Sequence, residues 1–171
     1  MILQRMTEAS RLEQSLRTAE REVYDLVPVV RGCVEGYRLA YPETVIALEL
    51  PEGALQVAGS PDLAAQLLDK LVENAVDFAR PGTPVRVALE ARERRAILSV
   101  ANQGPVLPKS MRGRLFESMV SVREAQGRKG PHLGLGLYVA RLIAEFHGGS
   151  IEARNLPDGE GVVVRARFAR R

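Results

Sequence analysis

Ser60-Pro61-Asp62-Leu63-Ala64-Ala65-Gln66-Leu67-Leu68-Asp69-Lys70-Leu71-Val72-Glu73-Asn74-Ala75 is the stretch on which the fold turns. Its opening is a strong helix start. A Ser60 side chain can accept from the free amides of the first turn, Pro61 has no amide to leave unpaired, and Asp62 meets the positive helix end. Leu63, Leu67, Leu68, Leu71, Ala75 and Phe78 recur at steps of three and four. This spacing predicts a helix from Pro61 to Phe78 with one buried side. Asn74 lies one turn beyond Lys70 and one turn before Phe78. An amide beside an apolar stripe costs free energy unless it is bonded. Its carbonyl oxygen is also a suitable hard ligand for Mg2+. On this helix alone, a solvated surface amide is the plainer reading.

Working outward, Pro81-Gly82-Thr83-Pro84 is a turn. Val85 to Ala91 and Ala96 to Ala101 alternate as a strand hairpin joined around Arg92 to Arg95. The stretch from Gln103 to Leu133 exceeds an ordinary loop and reads as a functional lid or a disordered segment, with a short helix expected over Arg112 to Met119. Leu135 to Phe146 is the next predicted helix, ended by Gly148-Gly149, and Ser150 to Arg154 and Val162 to Phe168 are the closing strands.

Upstream, Ile2, Met6, Ala9, Leu12, Leu16, Ala19, Val23 and Leu26 form a heptad-like stripe, predicting one amphipathic helix over residues 1 to about 22. One helix cannot bury that stripe alone. The rest of the domain or a second copy can cover it, and self-association is the favoured expectation. Asp25 caps a further helix with Pro28 in its first turn and Val27, Val30, Val34 and Tyr37 inward; Pro42 ends it. Val45 to Leu50 and Leu55 to Ala58 read as strands joined by a turn at Pro51-Glu52-Gly53. The expected architecture is an α/β two-layer sandwich, its helices on one face of a mixed, mostly antiparallel sheet, preceded by the amphipathic helix.

Composition narrows the function. An apolar content of 46% over 171 residues can build a real core, and 5% aromatics makes that core aliphatic. Cys33 is the single cysteine, which excludes an internal disulfide and a cysteine-rich metal site, and is read as a small buried hydrophobe. His132 and His147 lack zinc-ligand spacing. A net charge of +3 with few aromatics argues against nucleic-acid binding. No apolar run reaches the ~18 residues of a membrane span. The chain opens inside a helical pattern, so we expect a soluble piece of a longer protein.

Three segments in fixed order carry chemistry together. Glu73-Asn74-Ala75 ends a helix pattern, Asn102-Gln103-Gly104-Pro105 follows a strand pattern, and Gly134-Leu135-Gly136-Leu137 opens a helix pattern. This set resembles the nucleotide pocket of histidine kinase catalytic domains, members of the superfamily shared with gyrase and Hsp90 ATPases. The likeness covers about Tyr24 to Phe168 and implies the Bergerat-type ATP-binding fold. It divides the chain into a remnant of a dimerisation and phosphoacceptor helix over 1–22 and a catalytic domain over 23–171.

The resemblance implies roles. Asn74 would hold the Mg2+ that bridges the ATP phosphates. Asn102 occupies the position of the family's adenine-binding aspartate, where an amide oxygen accepts the same bond without charge assistance. Gly104 matches the first glycine of that box, and Val106 replaces the second, so the loop after Gly104 must take a different path. Lys70 replaces a frequent asparagine and can contact phosphate. Asp77 replaces a frequent lysine and would repel phosphate unless it binds the metal's water shell or an arginine. Phe116 and Met119 would anchor the lid. The lid is basic, and Arg123 is its expected phosphate contact, although a solvated basic loop reads equally well. His132, Leu133, Gly134, Leu135, Gly136 and Leu137 form the second glycine-rich box, where backbone amides approach phosphate at a helix N-terminus; His132 replaces an upstream glycine of that box and reads equally as a phosphate contact or as packing for the lid. His147, before the terminal glycine pair, reads as a cap or packing residue.

The implied activity is transfer of the ATP γ-phosphoryl group to a histidine outside this chain. The implied partners are the phosphoacceptor histidine domain of the same protein, a response regulator and a second copy through the N-terminal helix. The implied setting is the cytoplasmic portion of a bacterial inner-membrane sensor. A rival reading, motivated by Asn102, Val106 and Asp77, is a degenerate domain acting as an interaction module. ATP hydrolysis ranks last, because Lys70 stands where the hydrolytic relatives place a carboxylate.

Overall fold

The structure is a computed structural model that describes residues 8–107 and 130–171. Helix α1 (Glu8–Thr18) leads into strand β1 (Glu22–Asp25), α2 (Leu26–Ala40), β2 (Ile46–Glu49), β3 (Gln56–Gly59) and α3 (Pro61–Phe78). Strands β4 (Val85–Ala91) and β5 (Arg95–Gln103), helix α4 (Gly130–Phe146) and strands β6 (Ser150–Asn155) and β7 (Gly161–Ala169) complete it. A five-stranded sheet runs β2-β4-β5-β7-β6, parallel between β2 and β4 and antiparallel elsewhere. Helices α2, α3 and α4 cover one face, as expected of a two-layer sandwich. Alternation places Val85, Val87 and Leu89 of β4, Leu98 and Val100 of β5 and Val164, Ala166 and Phe168 of β7 in the core between the layers. Cys33 is half-buried rather than enclosed.

Helix α3 has the predicted bounds, and the Ser60 side chain accepts from the Leu63 amide. Its buried side is Ala64, Leu67, Leu68, Leu71, Val72 and Ala75, so the stripe is rotated slightly from the expected one and Leu63 and Phe78 stay partly exposed. Asp25 caps α2 and accepts from the amides of Val27 and Leu55.

Two expectations change. The N-terminal helical pattern stops at Thr18 among the described residues, and Val23 lies on β1, 50% exposed. Two causes combine: capping by Asp25 requires extended backbone there (φ −89°, ψ 118°), and the preceding residues gain ladder bonds by pairing with the distant Gln56–Gly59. Ile2 and Met6 lie outside the described residues. Leu12 is buried within this chain and Leu16 packs against its core. Glu13, beside them on α1, accepts from the Tyr138 hydroxyl of α4 at 2.8 Å, so part of the stripe is covered internally.

The two strands expected on either side of the turn at Pro51 to Gly53 form, and they join different sheets. Strand β3 pairs with β1, whereas β2 pairs with β4 in parallel, a pairing that needs a crossover and receives one through α3. Helix α4 begins at Gly130, five residues before the predicted Leu135. Packing of its C-terminal half, with Leu137, Val139, Ala140, Ile143 and Ala144 buried, extends the helix back through glycines that cost about 1 kcal/mol each relative to alanine.

Candidate nucleotide-binding site

The site forms where the last turn of α3 meets the end of β5. The hairpin strand β5 runs two residues beyond its predicted end, so Asn102 and Gln103 belong to the sheet. Asn102 pairs with Val85 on one side and Val162 on the other, and its side chain points into the helix-covered interior at 6% exposure. The Asn102 amide nitrogen donates to the Gln103 carbonyl at 3.3 Å.

Gly104 has φ +153°, and a β-carbon there would collide with the carbonyl oxygen of Phe78. Only glycine fits that backbone-to-backbone approach. No non-glycine residue among those described has positive φ, so Val106 continues on ordinary backbone, and its side chain is 44% exposed. Two residues not singled out in the sequence fix this corner. The Arg80 amide donates to the Gln103 carbonyl at 2.7 Å, and the Gly104 amide donates to the Glu160 carbonyl at 2.9 Å. The Arg80 guanidinium also lies 3.4 Å from the Glu160 carboxylate. The pairing of Arg80 with Glu160, 80 residues apart, leaves no local sequence signal. A cleft of about 410 Å3 opens beside this corner, lined by Phe78, Ala79, Arg80, Pro81, Gly104 and Pro105.

One turn back along α3 from Phe78, the Oδ1 atom of Asn74 is buried and has no hydrogen-bond partner. An unmatched buried carbonyl costs about 1–3 kcal/mol, so it calls for a partner that the described residues do not supply. A hard divalent cation fits that oxygen. Among the described residues no group of three or more His, Cys, Asp or Glu side chains could hold a metal. Mg2+ suits such a sparse donor set, because it keeps several waters and completes its shell with substrate phosphates.

Lys70 and Asp77 share the Asn74 side of α3 by helical spacing; Lys70 is partly buried and Asp77 is exposed. Burial pushes the Tyr41 phenol up, and the carboxylates of Glu73, Asp77 and Asp69 push it further. Asp77 therefore adds negative charge on the helix that carries Asn74.

The second glycine-rich segment is helical from Gly130, so Gly134 and Gly136 lie within α4 rather than at its first residue. The amides free of intrahelical partners are those of the first turn, which includes His132 and Leu133. Leu137 is 1% exposed in the core and serves packing. The side chains of His132, Leu133 and Leu135 lie outside the described residues, as do Phe116, Met119, Arg123 and the expected helix over Arg112 to Met119.

Comparison with known proteins agrees with this geometry. The family described as histidine kinase-, DNA gyrase B- and HSP90-like ATPase matches residues 59–171. Sensor protein ChvG of Agrobacterium fabrum is 31% identical over 95% of this chain and 29% of its own length. Sensor histidine kinase YkoH of Bacillus subtilis is 30% identical over 92% of this chain and 33% of its own length. The chain thus spans a third or less of these curated relatives. Among solved structures, the mycobacterial sensor histidine kinase MprB superimposes with TM-score 0.73 at 22% identity, covering 88% of this chain and 98% of that one. The Acinetobacter baumannii histidine kinase AdeS gives TM-score 0.72 at 21% identity over 98% of this chain and 78% of that one. With its fold, its orphaned Asn74 oxygen and its Gly104 corner, this chain belongs to the histidine kinase-, gyrase- and Hsp90-like ATPase family, as a histidine kinase-type catalytic domain.

Proposed function

We propose that this domain binds ATP with Mg2+ and presents the γ-phosphoryl group to a histidine supplied by the phosphoacceptor domain of the same protein, for relay to a response regulator. In that reaction a ring nitrogen of the acceptor forms a bond to the γ-phosphorus as the bond to the β,γ-bridging oxygen breaks, leaving ADP. Mg2+ at Asn74 would neutralise charge on the phosphate oxygens. The chain's own work is positioning. Asn74 offers one fixed oxygen. Asn102, its Nδ2 engaged by the Gln103 carbonyl, has its other amide atom, an acceptor, to offer the adenine amino group. Gly104 brings backbone close to the base, and the N-terminal end of α4 offers amides to phosphate. Asp77 would hold water of the metal's shell or pair with an arginine, since beside phosphate alone it would repel. Arg123, Lys70, His132, Leu133, Leu135 and the glycines Gly134 and Gly136 remain proposed phosphate-side contacts. In the whole protein the domain would work on the cytoplasmic side of a bacterial inner-membrane sensor; no helix among the described residues is long and apolar enough to cross a membrane. A second copy would meet it through the N-terminal helix.

The buried, unpartnered Asn74 oxygen carries this reading. Its test is calorimetric titration of ATP with and without Mg2+ into the parent and an Asn74→Leu variant. The parent should bind in the micromolar range only with Mg2+. The variant should lose affinity about a hundredfold, a metal ligand worth about 3 kcal/mol, while staying folded. Absence of binding by the parent at millimolar ATP would sink the proposal. That outcome would favour an interaction module, the reading supported by the neutral Asn102 and by Val106 in place of a glycine.

A further inference from the structure

His147 is the most deeply buried polar side chain among the described residues, at 1% exposure, and the nucleotide site as built gives it no role. It is the C-terminal cap of α4. Past it, Gly148 at φ +75° donates to the Glu145 carbonyl and Gly149 donates to the Ala144 carbonyl, a Schellman ending. The ring's Nδ1 lies 2.9 Å from the Ile143 carbonyl. A carbonyl only accepts, so Nδ1 carries the proton and Nε2 presents a bare lone pair. That lone pair receives the Ser60 amide at 3.2 Å and the Tyr24 hydroxyl at 2.8 Å. The ring stacks on Phe168 of β7 at 4.6 Å, and a side chain at Gly59 of β3 would occupy its place. One imidazole therefore touches α4, the N-cap of α3, β1, β3 and β7.

We propose that His147 is a positioning residue for the nucleotide site: its neutral ring pins the C-terminal end of α4 to the N-cap of α3, fixing the helix that bears Asn74 against the helix that bears Gly134 and Gly136. Tyr24 ties the same pin to β1, the strand that joins α1 to the domain. The inference rests on the nucleotide-binding reading above. Helix α4 is about 25 Å long, so a tilt of about 3° at His147 moves its glycine end by about 1 Å. A displacement of that size can cost about a hundredfold where reacting groups must align.

The pin fails on protonation. A doubly protonated ring has two donors and no acceptor, which leaves the Ser60 amide facing an N–H. Burial holds the imidazole below its ordinary range, the Arg21 charge adds to this, and the bond to the Ile143 carbonyl opposes it. Arg21 is the charged group facing the ring, from the segment before β1; it donates to the Phe146 carbonyl at 2.7 Å. Tyr24 faces it from β1, Ser60 from α3, Gly59 from β3 and Phe168 from β7; none of these is charged at neutral pH.

The test is a series of Mg2+–ATP titrations between about pH 5 and 8, on the full chain, for the parent, His147→Gln and Tyr24→Phe, with NMR titration of the His147 ring and the Ser60 amide. Protonation of ATP is common to all three and subtracts. In the parent, affinity should fall in the step at which the ring and the Ser60 amide shift together. His147→Gln should bind about tenfold more weakly at neutral pH, the cost of one lost bonding centre, and should lack the step. Tyr24→Phe should weaken binding less and keep the step. Equal affinity and an equal pH profile in folded His147→Gln overturn the inference while the proposed function stands. If His147→Gln does not fold, parental affinity that stays flat through the ring titration overturns it. A parent that binds no nucleotide overturns the proposed function and this inference together.

Discussion

The carbonyl oxygen of Phe78 fills the space that a β-carbon on Gly104 would need, so the last turn of α3 and the loop leaving β5 meet backbone to backbone. This contact joins the two halves of the site. Asn74 lies one turn up the helix on one side, and Asn102 lies two residues back along the strand on the other.

Gly104→Ala must move one of those backbones and hold alanine at a φ of +153°. We expect a loss of about 2–3 kcal/mol by urea denaturation, with nucleotide binding abolished. A variant as stable as the parent would show that the contact does not constrain the site.

Asn102→Asp restores the charge that the resemblance leads one to expect. ATP affinity should rise about tenfold through a charge-assisted bond to the base. The nucleotide-free protein should melt at a lower temperature, because the new carboxylate is buried at a position only 6% exposed. Calorimetry and thermal melts with and without ATP check both signs; unchanged affinity would place adenine elsewhere.

Asp25→Ala removes one carboxylate that serves two amides, those of Val27 and Leu55, each 3.0 Å away. The loss should be about 1–2 kcal/mol, read as a lower denaturation midpoint. Leu55 is fully buried, so its amide has no water to turn to.

On the open face of the sheet, Arg167 bonded at 2.7 Å holds the Glu152 carboxyl below its ordinary value. Its contribution is therefore present above the unfolded-state value and is lost as pH falls through the lower folded value. Glu152→Gln should flatten this acid limb of the stability profile by less than about 1 kcal/mol, since the pair is partly exposed. A parent and variant whose stabilities fall in parallel below pH ~5 would rule the pair out as a contributor.

Local patterns sufficed for elements whose signals are short-range. The Ser60-Pro61-Asp62 start and the leucine spacing set both ends of α3, and strict alternation located β4 and most of β5. The order of the three chemistry-bearing segments sufficed for the family. His147 reads correctly as a cap from its place before Gly148-Gly149, because a helix ending is a local event.

Tertiary structure decided what depends on partners distant in the chain. The residues from Glu22 leave the helical pattern because Gln56–Gly59 offers a ladder, and β2 pairs in parallel because α3 carries the chain across the sheet. The bare Nε2 of His147 finds Ser60 and Tyr24 only after α3, α4 and β1 converge. Periodicity reports which side of an element is apolar, whereas what that side meets is fixed by packing free energy summed over the whole chain. The orphaned oxygen of Asn74 joins the two levels: the residue type was legible in the sequence, but only the packed interior shows that nothing among the described residues answers it.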